Sequence, residues 1–474
     1  MKAGDVLQDD AARKHARKLL TKYPHTGRGR LTIAAMVAAL GGFLFGYDNI
    51  VISGAIQYLI LRFHLDATGT GWAAGCALVG CIAGSALAGS AADFMGHRKS
   101  LAGCALCFAL SSVGLWFSGD LTNFVAWRLI AGFAIGAASI ICPMYIAEVA
   151  PTRLRGRLVT LYQLGIVLGI LAAVFSNMCI QRMGNEAWNE TTGWRWMFLV
   201  GVVPAVIFGM LIIASVESPR WLLKMGRTRP ALEVLNSLGE DATSQMRQIE
   251  QALKEEQGRF SELFTVYRRP LLLGIMLAAF QQISGVTPIF AFLPVIFSIA
   301  GTATRDAFSQ SVLVSLINLV FTLFALWLVD TAGRKTLILV GTSVQLIALA
   351  WIGWIYCAHG PSIAIVIAIM GFVAGHAFGN GVACWVIISE IYPTKVRGRA
   401  MSIATTTLWL IGYLGNQFFP IMMARLGAAA TFWTFGGGAL LTIVCVYLLV
   451  PETRGKSLEE ITLFWSSHEA GVRR

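Results

Sequence analysis

Glu148-Val-Ala-Pro-Thr-Arg-Leu-Arg-Gly-Arg157 returns later in the chain as Glu390-Ile-Tyr-Pro-Thr-Lys-Val-Arg-Gly-Arg399. Two further stretches behave the same way. Asp93-Phe-Met-Gly-His-Arg-Lys99 returns, one residue shorter, as Asp330-Thr-Ala-Gly-Arg-Lys335, and Val216-Glu-Ser-Pro-Arg220 has a looser echo in Val450-Pro-Glu-Thr-Arg454. The three echoes keep nearly the same offset, so the chain reads as one unit written twice. Each polar echo is flanked by long apolar runs, such as 72–92, 158–176 and 428–450. A hydrocarbon core about 30 Å thick takes roughly 20 apolar residues per helical crossing, and these runs are near that length.

Composition agrees. The 474 residues are 56% hydrophobic and 13% charged, whereas soluble domains carry about 25% charged residues. The apolar excess must face lipid. Spans are predicted at 31–58, 70–92, 99–118, 122–147, 157–180 and 195–215, then at 270–299, 309–329, 336–357, 362–391, 400–424 and 429–450. The division is a polar tail (1–30), a first six-helix bundle (31–215), a helical linker (216–269), a second six-helix bundle (270–450) and a second tail (451–474). The linker is rich in Glu, Gln, Lys and Arg, with helices predicted near 229–238 and 245–257.

The net charge of +12 is distributed by topology. Lys and Arg gather before Leu31, at 98–99, 153–157, 220–269, 334–335 and 395–399, and after 454, while the alternate loops and their edges carry few. This is the positive-inside pattern with both termini cytoplasmic, and it excludes reading the charge as a nucleic-acid footprint. Residues 1–30 have no secretory-signal pattern, so the first apolar run is expected to be an uncleaved span. The cysteines lie almost entirely within apolar runs and read as small hydrophobes.

These motifs resemble those of the sugar porter family of the major facilitator superfamily. The residues that carry the likeness are Asp330 with Gly333-Arg334-Lys335, Pro143-Met-Tyr-Ile-Ala-Glu148 with Arg155-Gly156, Val216-Glu-Ser-Pro-Arg-Trp-Leu222, Pro451-Glu-Thr-Arg-Gly-Lys456 and Gln281-Gln-Ile-Ser-Gly285. The resemblance runs from about Leu31 to Ile461. It implies an all-α membrane protein of twelve transmembrane helices in two six-helix bundles with a short cytoplasmic helical linker. Parallel repeats of this kind hold substrate near the midplane between the halves. It also implies a transporter and not an enzyme, working as a monomer in a bacterial inner membrane, without cofactor or metal. No Walker motif is present to supply ATP. The chain departs from the family at Thr287, Ala291 and Phe292 in the seventh span, Gly381-Val382 in the tenth, Phe94 and His97 in the first short loop, and Gly412 after the eleventh-span Trp.

A charge inside the bilayer is expensive and marks a pathway or a pair. Asp48 stands midway along the first span and Arg128 lies in the fourth. The expectation is that Asp48 exchanges a proton and Arg128 tunes it; a static ion pair locking two helices is the alternative. Proton-coupled sugar porters resemble this chain in carrying an acid there. Sugar recognition needs amides, which donate and accept, and aromatic rings for the apolar sugar face. The candidates at matching positions are Phe45, Gln163, Gln281, Gln282, Thr287, Asn318, Trp385 and Trp409. For the buried amides the alternative is a helix–helix hydrogen bond.

Arg98, Glu148, Arg155 and Glu217 are expected beneath the first bundle, with Arg334, Glu390 and Arg397 beneath the second, forming an inner gate. Gly371, Gly375 and Gly379 read either as a flexible hinge or as tight packing. His376 reads as a packed neutral imidazole or a second proton site, and Trp194, Trp196 and Trp354 as interfacial anchors. The functional expectation is proton symport of a monosaccharide or polyol by alternating access. An uncoupled facilitator, an inositol-type cyclitol symporter and a non-transporting sugar sensor remain alternatives.

Overall fold

The computed structural model describes residues 26–150, 155–238, 242–255, 261–392 and 396–452, with backbone only at 26–28, 155, 252, 254, 255, 330, 389 and 397. Most of both tails and the side chains of Arg155 and Arg397 therefore lie outside the described residues.

Among the described residues the chain is helical throughout, without strands. Eleven helices are long and apolar enough to cross a membrane, and the last, Gly398–Leu449, is 52 residues long. At about 1.5 Å per residue that length crosses twice. It breaks at Gly427, which takes φ 80°, a left-handed conformation that glycine tolerates. Twelve crossings result, as the repeats require. One face of the bundle carries the linker helices Pro219–Lys224, Thr228–Leu238, Ala242–Glu255 and Glu262–Thr265, and the two predicted linker helices fall on the middle pair. This is the linker face; the opposite one is the far face.

Lipid supplies no hydrophobic drive between helices, so close backbone approach at small residues does the work. The first bundle shows this twice. Gly42 and Gly46 of the first span lie against the carbonyls of Tyr162 and Ile166, while Gly165 and Gly169 of the fifth lie against those of Ala39 and Phe43. Gly80 and Gly84 of the second span and Gly132 and Gly136 of the fourth repeat the arrangement. In the second bundle Gly375 and Gly379 both press on the ninth span, and Gly379 is also the point at which the tenth span breaks. Gly371 has only Ala348 nearby, at 3.9 Å.

Four spans bend where function is expected. The first breaks at Val51, between helices Thr26–Ile50 and Ile52–Phe63. The fourth carries Pro143 inside it. The seventh ends its first helix at Ile283 and restarts after Gly285, which has φ 83°. The tenth breaks at Gly379 between helices Ser362–Phe378 and Asn380–Glu390. These are corresponding spans of the two repeats. A break inside a membrane is tolerated where neighbours take up the freed backbone groups.

The bundles meet through the second span against the eleventh, the fifth against the eighth, and the first against the latter part of the seventh. Among the described residues, hydrogen bonds tie them on the far face. Asn416 Nδ2 donates to the Ala74 carbonyl (3.2 Å), Gln417 Nε2 to the Thr68 carbonyl (3.1 Å) and Arg182 Nη2 to Ser309 Oγ (2.7 Å). Ser85 and Thr406 share a hydroxyl contact nearer the linker face.

One expectation fails. Trp194 is not an interfacial anchor: it is 0% exposed and packs edge-on to Phe63, Phe124 and Phe198. The aromatic cluster behind the sixth span outcompetes the interface for its ring. Trp196 and Trp354 are exposed, as anchors would be.

Candidate substrate and proton site

The break in the first span lies just past Asp48. Arg128 Nη1 donates to Asp48 Oδ2 at 3.0 Å, and Nη1 and Nη2 both reach the Asp48 carbonyl at 3.3 Å. Arg128 is 1% exposed and Asp48 7%. The guanidinium also stands 5.3 Å from the Phe198 ring centroid. One arginine thus neutralises a buried carboxylate and takes up a carbonyl at the break. A buried pair of this kind is sustained by mutual neutralisation and good geometry, and losing either partner strands a charge. The ion pair exists only while the carboxyl is ionised, so a proton on Asp48 and the attraction of Arg128 exclude each other.

The second bundle handles its breaks with neutral groups. Gln281 Nε2 donates to the Asn380 carbonyl at 3.3 Å. Asn380 Nδ2 donates to Thr342 Oγ1 (3.2 Å) and Gln345 Oε1 (3.1 Å), and Gln345 Nε2 reaches Ser284 Oγ at 3.5 Å. A chain of amides and hydroxyls therefore joins the breaks of the seventh and tenth spans through the ninth. Gln281, a sugar candidate by sequence, spends its amide on a helix–helix bond in this structure.

Between these two networks lies the seam of the bundles. Thr287 Oγ1 donates to Gln282 Oε1 across the seventh-span break. Phe45 of the first span and Trp409 of the eleventh meet with ring centroids 5.4 Å apart. They share one apolar cluster with Leu78, Tyr413 and Trp385, which spans both bundles. Trp409 is buried, and its Nε1 finds no hydrogen-bond partner among the described residues. Phe45, Gln163, Gln282, Thr287 and Trp385 are half-buried in mid-span, whereas Asn318 is buried. Asn318 continues a buried polar stripe of Ser311, Ser315 and Thr322 on the eighth span. That stripe, and the set Ser284, Thr342, Gln345 and Asn380, are what reasoning from sequence missed. The four-and-three spacing of polar residues on the eighth span and the mid-span Asn380-Gly381 pair were the available signals.

On the linker face, Glu148 stands 3.5 Å from His97 Nε2 and 3.9 Å from Arg220 Nε, and accepts from Ser218 Oγ. Arg98 does not join Glu148. Its backbone N–H donates to Glu217, and its side chain caps the Ile212 and Ile213 carbonyls ending the sixth span. Beneath the second bundle Arg334 Nη2 pairs with Glu390 Oε1 at 3.2 Å. Glu452 accepts the backbone N–H groups of Arg334 and Lys335, both at 3.1 Å. In the first bundle Glu217 fills the corresponding place beside Arg98.

The family description "Sugar (and other) transporter" matches residues 34–465. The chain belongs to this family. An arabinose-proton symporter of Bacillus subtilis (strain 168) is 38% identical over 442 residues, 92% of this chain and 95% of the relative. A D-xylose-proton symporter of Escherichia coli (strain K12) is 34% identical over 464 residues, 91% and 94% of the two chains. The xylose transporter XylE of E. coli, in a partially occluded inward-open conformation, superposes with TM-score 0.83 at 33% identity, covering 90% of this chain and 100% of that one. The protein is a multi-pass membrane transporter of the major facilitator fold and not an enzyme.

Proposed function

We propose that this protein imports a monosaccharide or related polyol by proton symport, with Asp48 as the carboxyl that carries the proton. The observation that carries the reading is the buried Asp48–Arg128 pair, set at the first-span break beside the seam of the bundles. Asp48 loads a proton from the far side, which releases Arg128, and sugar binds at the seam. Phe45, Gln163, Gln282, Thr287, Asn318, Trp385 and Trp409 are its contacts, with Trp409 Nε1 a donor awaiting a sugar oxygen. Gln281 holds the tenth-span break in shape. The two bundles, 31–215 and 270–450, rock about this site.

The linker face is the cytoplasmic face in a bacterial inner membrane, and the transporter works as a monomer. The far-face ties at Asn416, Gln417 and Arg182 support a state closed to the outside. The linker-face pairs of Glu148 and Glu390, with Arg155 and Arg397, belong to the inner gate. That named relatives are proton symporters for arabinose and xylose supports a pentose-sized substrate.

The test is Asp48→Asn in proteoliposomes with an imposed proton gradient. The amide keeps size and hydrogen bonding but not the titrating proton. Accumulation against a sugar gradient should vanish while counterflow survives, and the pH dependence of sugar binding should be lost, because proton and sugar affinities are reciprocally linked. An Asp48→Asn protein that still concentrates sugar in response to the gradient leaves Asp48 as half of a static pair and favours the uncoupled facilitator.

A further inference from the structure

A proton on Asp48 removes the carboxylate that neutralises Arg128, yet the guanidinium stays buried. A cation left in such a place without compensation is strongly destabilising, so something besides Asp48 must hold it in the protonated state. Hydrogen bonds give only part of the answer. Nη1 and Nη2 keep the Asp48 carbonyl at 3.3 Å, while the buried Nε finds no acceptor among the described residues. Among those residues Arg128 pairs with no acid but Asp48. The titratable groups facing the pair are the Tyr47 phenol on the first span and the Cys76 and Cys81 thiols on the second, and these side chains are ordinarily neutral near pH 7. What does stand beside the arginine is a ring. The guanidinium carbon lies over the Phe198 face, 5.3 Å from its centroid. Phe198 is itself buried, and edge-on contacts with Phe124 (5.7 Å) and Trp194 (6.4 Å) fix its plane. A ring face within about 6 Å attracts a cation, most strongly where both are out of water.

We propose that Phe198 is a positioning residue for proton coupling: its ring is the second seat of the Arg128 guanidinium, engaged more closely once Asp48 takes up a proton. While the carboxyl is ionised, Arg128 is shared between Asp48 Oδ2 and the ring. When the proton arrives, Nη1 loses its anion, and the guanidinium settles toward the ring and the Asp48 carbonyl without leaving its place between the first, fourth and sixth spans. The ring therefore matters more to the protonated state than to the ionised one, where the carboxylate already serves the cation. It sets the pH at which the pair opens. The aromatic cluster that takes Trp194 away from the membrane interface thereby gains a use, since it keeps the Phe198 face turned to Arg128. The inference rests on the reading of Asp48 as the proton carrier and adds the residue that tunes it through Arg128.

The experiment is an infrared titration of the purified protein from pH 4 to pH 10, without sugar. The C=O stretch of a protonated carboxyl stands apart from the amide bands, and subtracting the same protein carrying Asp48→Asn isolates the Asp48 signal. Phe198→Leu and Phe198→Met remove the ring but keep apolar bulk, and Phe198→Tyr keeps the ring. Methionine fills irregular space, so it serves where the leucine variant does not fold. In both ring-less variants the midpoint of the Asp48 band should move to lower pH by about one unit, since losing a desolvated cation–π contact is worth roughly ten-fold in an equilibrium. Phe198→Tyr should keep the wild-type midpoint. A midpoint that stays put or moves to higher pH in the ring-less variants overturns the inference and leaves Asp48 as the proton carrier. So does a tyrosine variant that shifts as far as the ring-less ones. A wild type with no titrating Asp48 band overturns the reading of Asp48 itself, and the inference with it.

Discussion

The two bundles solve one structural problem with different chemistry. Each breaks helices in mid-membrane, and each places polar side chains of neighbouring spans at a break, where lipid could not satisfy freed backbone groups. In the first bundle a charged residue of a neighbouring span, Arg128, takes up the Asp48 carbonyl and pairs with the Asp48 side chain. In the second a neutral one, Gln281, donates to the Asn380 carbonyl in the first turn of the restarted tenth-span helix, and Asn380 is tied in turn to Thr342 and Gln345. An ion pair responds to a single proton by ceasing to exist. A network of amides does not change with pH, but it offers donors and acceptors in a fixed arrangement. On the function proposed above, the first bundle senses protons and the second shapes the sugar site.

The sharpest way to break that contrast is to remove Arg128. Arg128→Leu strands a buried carboxylate, and losing one partner of a buried pair costs about 3–5 kcal/mol. The cost applies only while Asp48 is ionised, so the destabilisation should be largest at neutral and alkaline pH and shrink as acid protonates the carboxyl. Thermal unfolding of wild type and variant in detergent across pH 5 to 8 measures it. A loss of stability independent of pH would mean that Arg128 contributes packing against Phe198 and not charge. The double variant Arg128→Leu with Asp48→Asn should recover much of the loss at neutral pH.

Asn380→Ala is the matching cut in the second bundle. It removes one neutral amide from the chain and leaves Gln345 and Thr342 each short of a partner, at about 1–3 kcal/mol. The loss should be the same at every pH in the same unfolding series, with weaker sugar binding because the tenth-span break above Trp385 is less well held. A pH-dependent effect here would erase the difference between the bundles.

The contrast also separates what is legible in the sequence from what is hidden there. The duplicated Glu148 and Glu390 segments carry the fold because they recur in register with the apolar runs, which is information written along the chain. The Asp48–Arg128 pair is legible for another reason: few charges sit inside spans, and those that do need partners. The amide network is not, because its members come from three spans and meet only at particular helix rotations. Polar residues of the same kind look alike in sequence whether they face a sugar, as we assign to Gln282, or a neighbouring carbonyl, as Gln281 does. Trp194 misleads for a related reason, since an aromatic near a span end reads as an anchor unless the packing of Phe63, Phe124 and Phe198 is known.

The smallest effect is expected on the linker face, where the duplicated motifs again differ in charge. Glu390 faces Arg334, which is always charged, whereas Glu148 faces His97, which is charged only when protonated. The Tyr145 ring lies tilted beside the imidazole, Ser218 and Arg220 share Glu148 with it, and Glu217 accepts from the backbone N–H of the neighbouring Arg98. Both glutamates keep part of the side chain in water at the linker-face ends of their spans, so losing either pair should bias a gate without unfolding the protein. A reporter cysteine at Gly398, which has open space around it, reads the accessibility of this face by alkylation rate. Glu390→Gln removes the carboxylate opposite Arg334 and should change that rate more than Glu148→Gln, because Glu390 lies 3.2 Å from Arg334 whereas Glu148 lies 3.5 Å from His97 and 3.9 Å from Arg220. His97→Arg gives the first cluster the arginine that the second has and should bring the effect of Glu148→Gln up to that of Glu390→Gln. If the two glutamate variants change the rate equally with His97 in place, His97 is only a packed ring beside Tyr145, and the two linker-face clusters are equivalent after all.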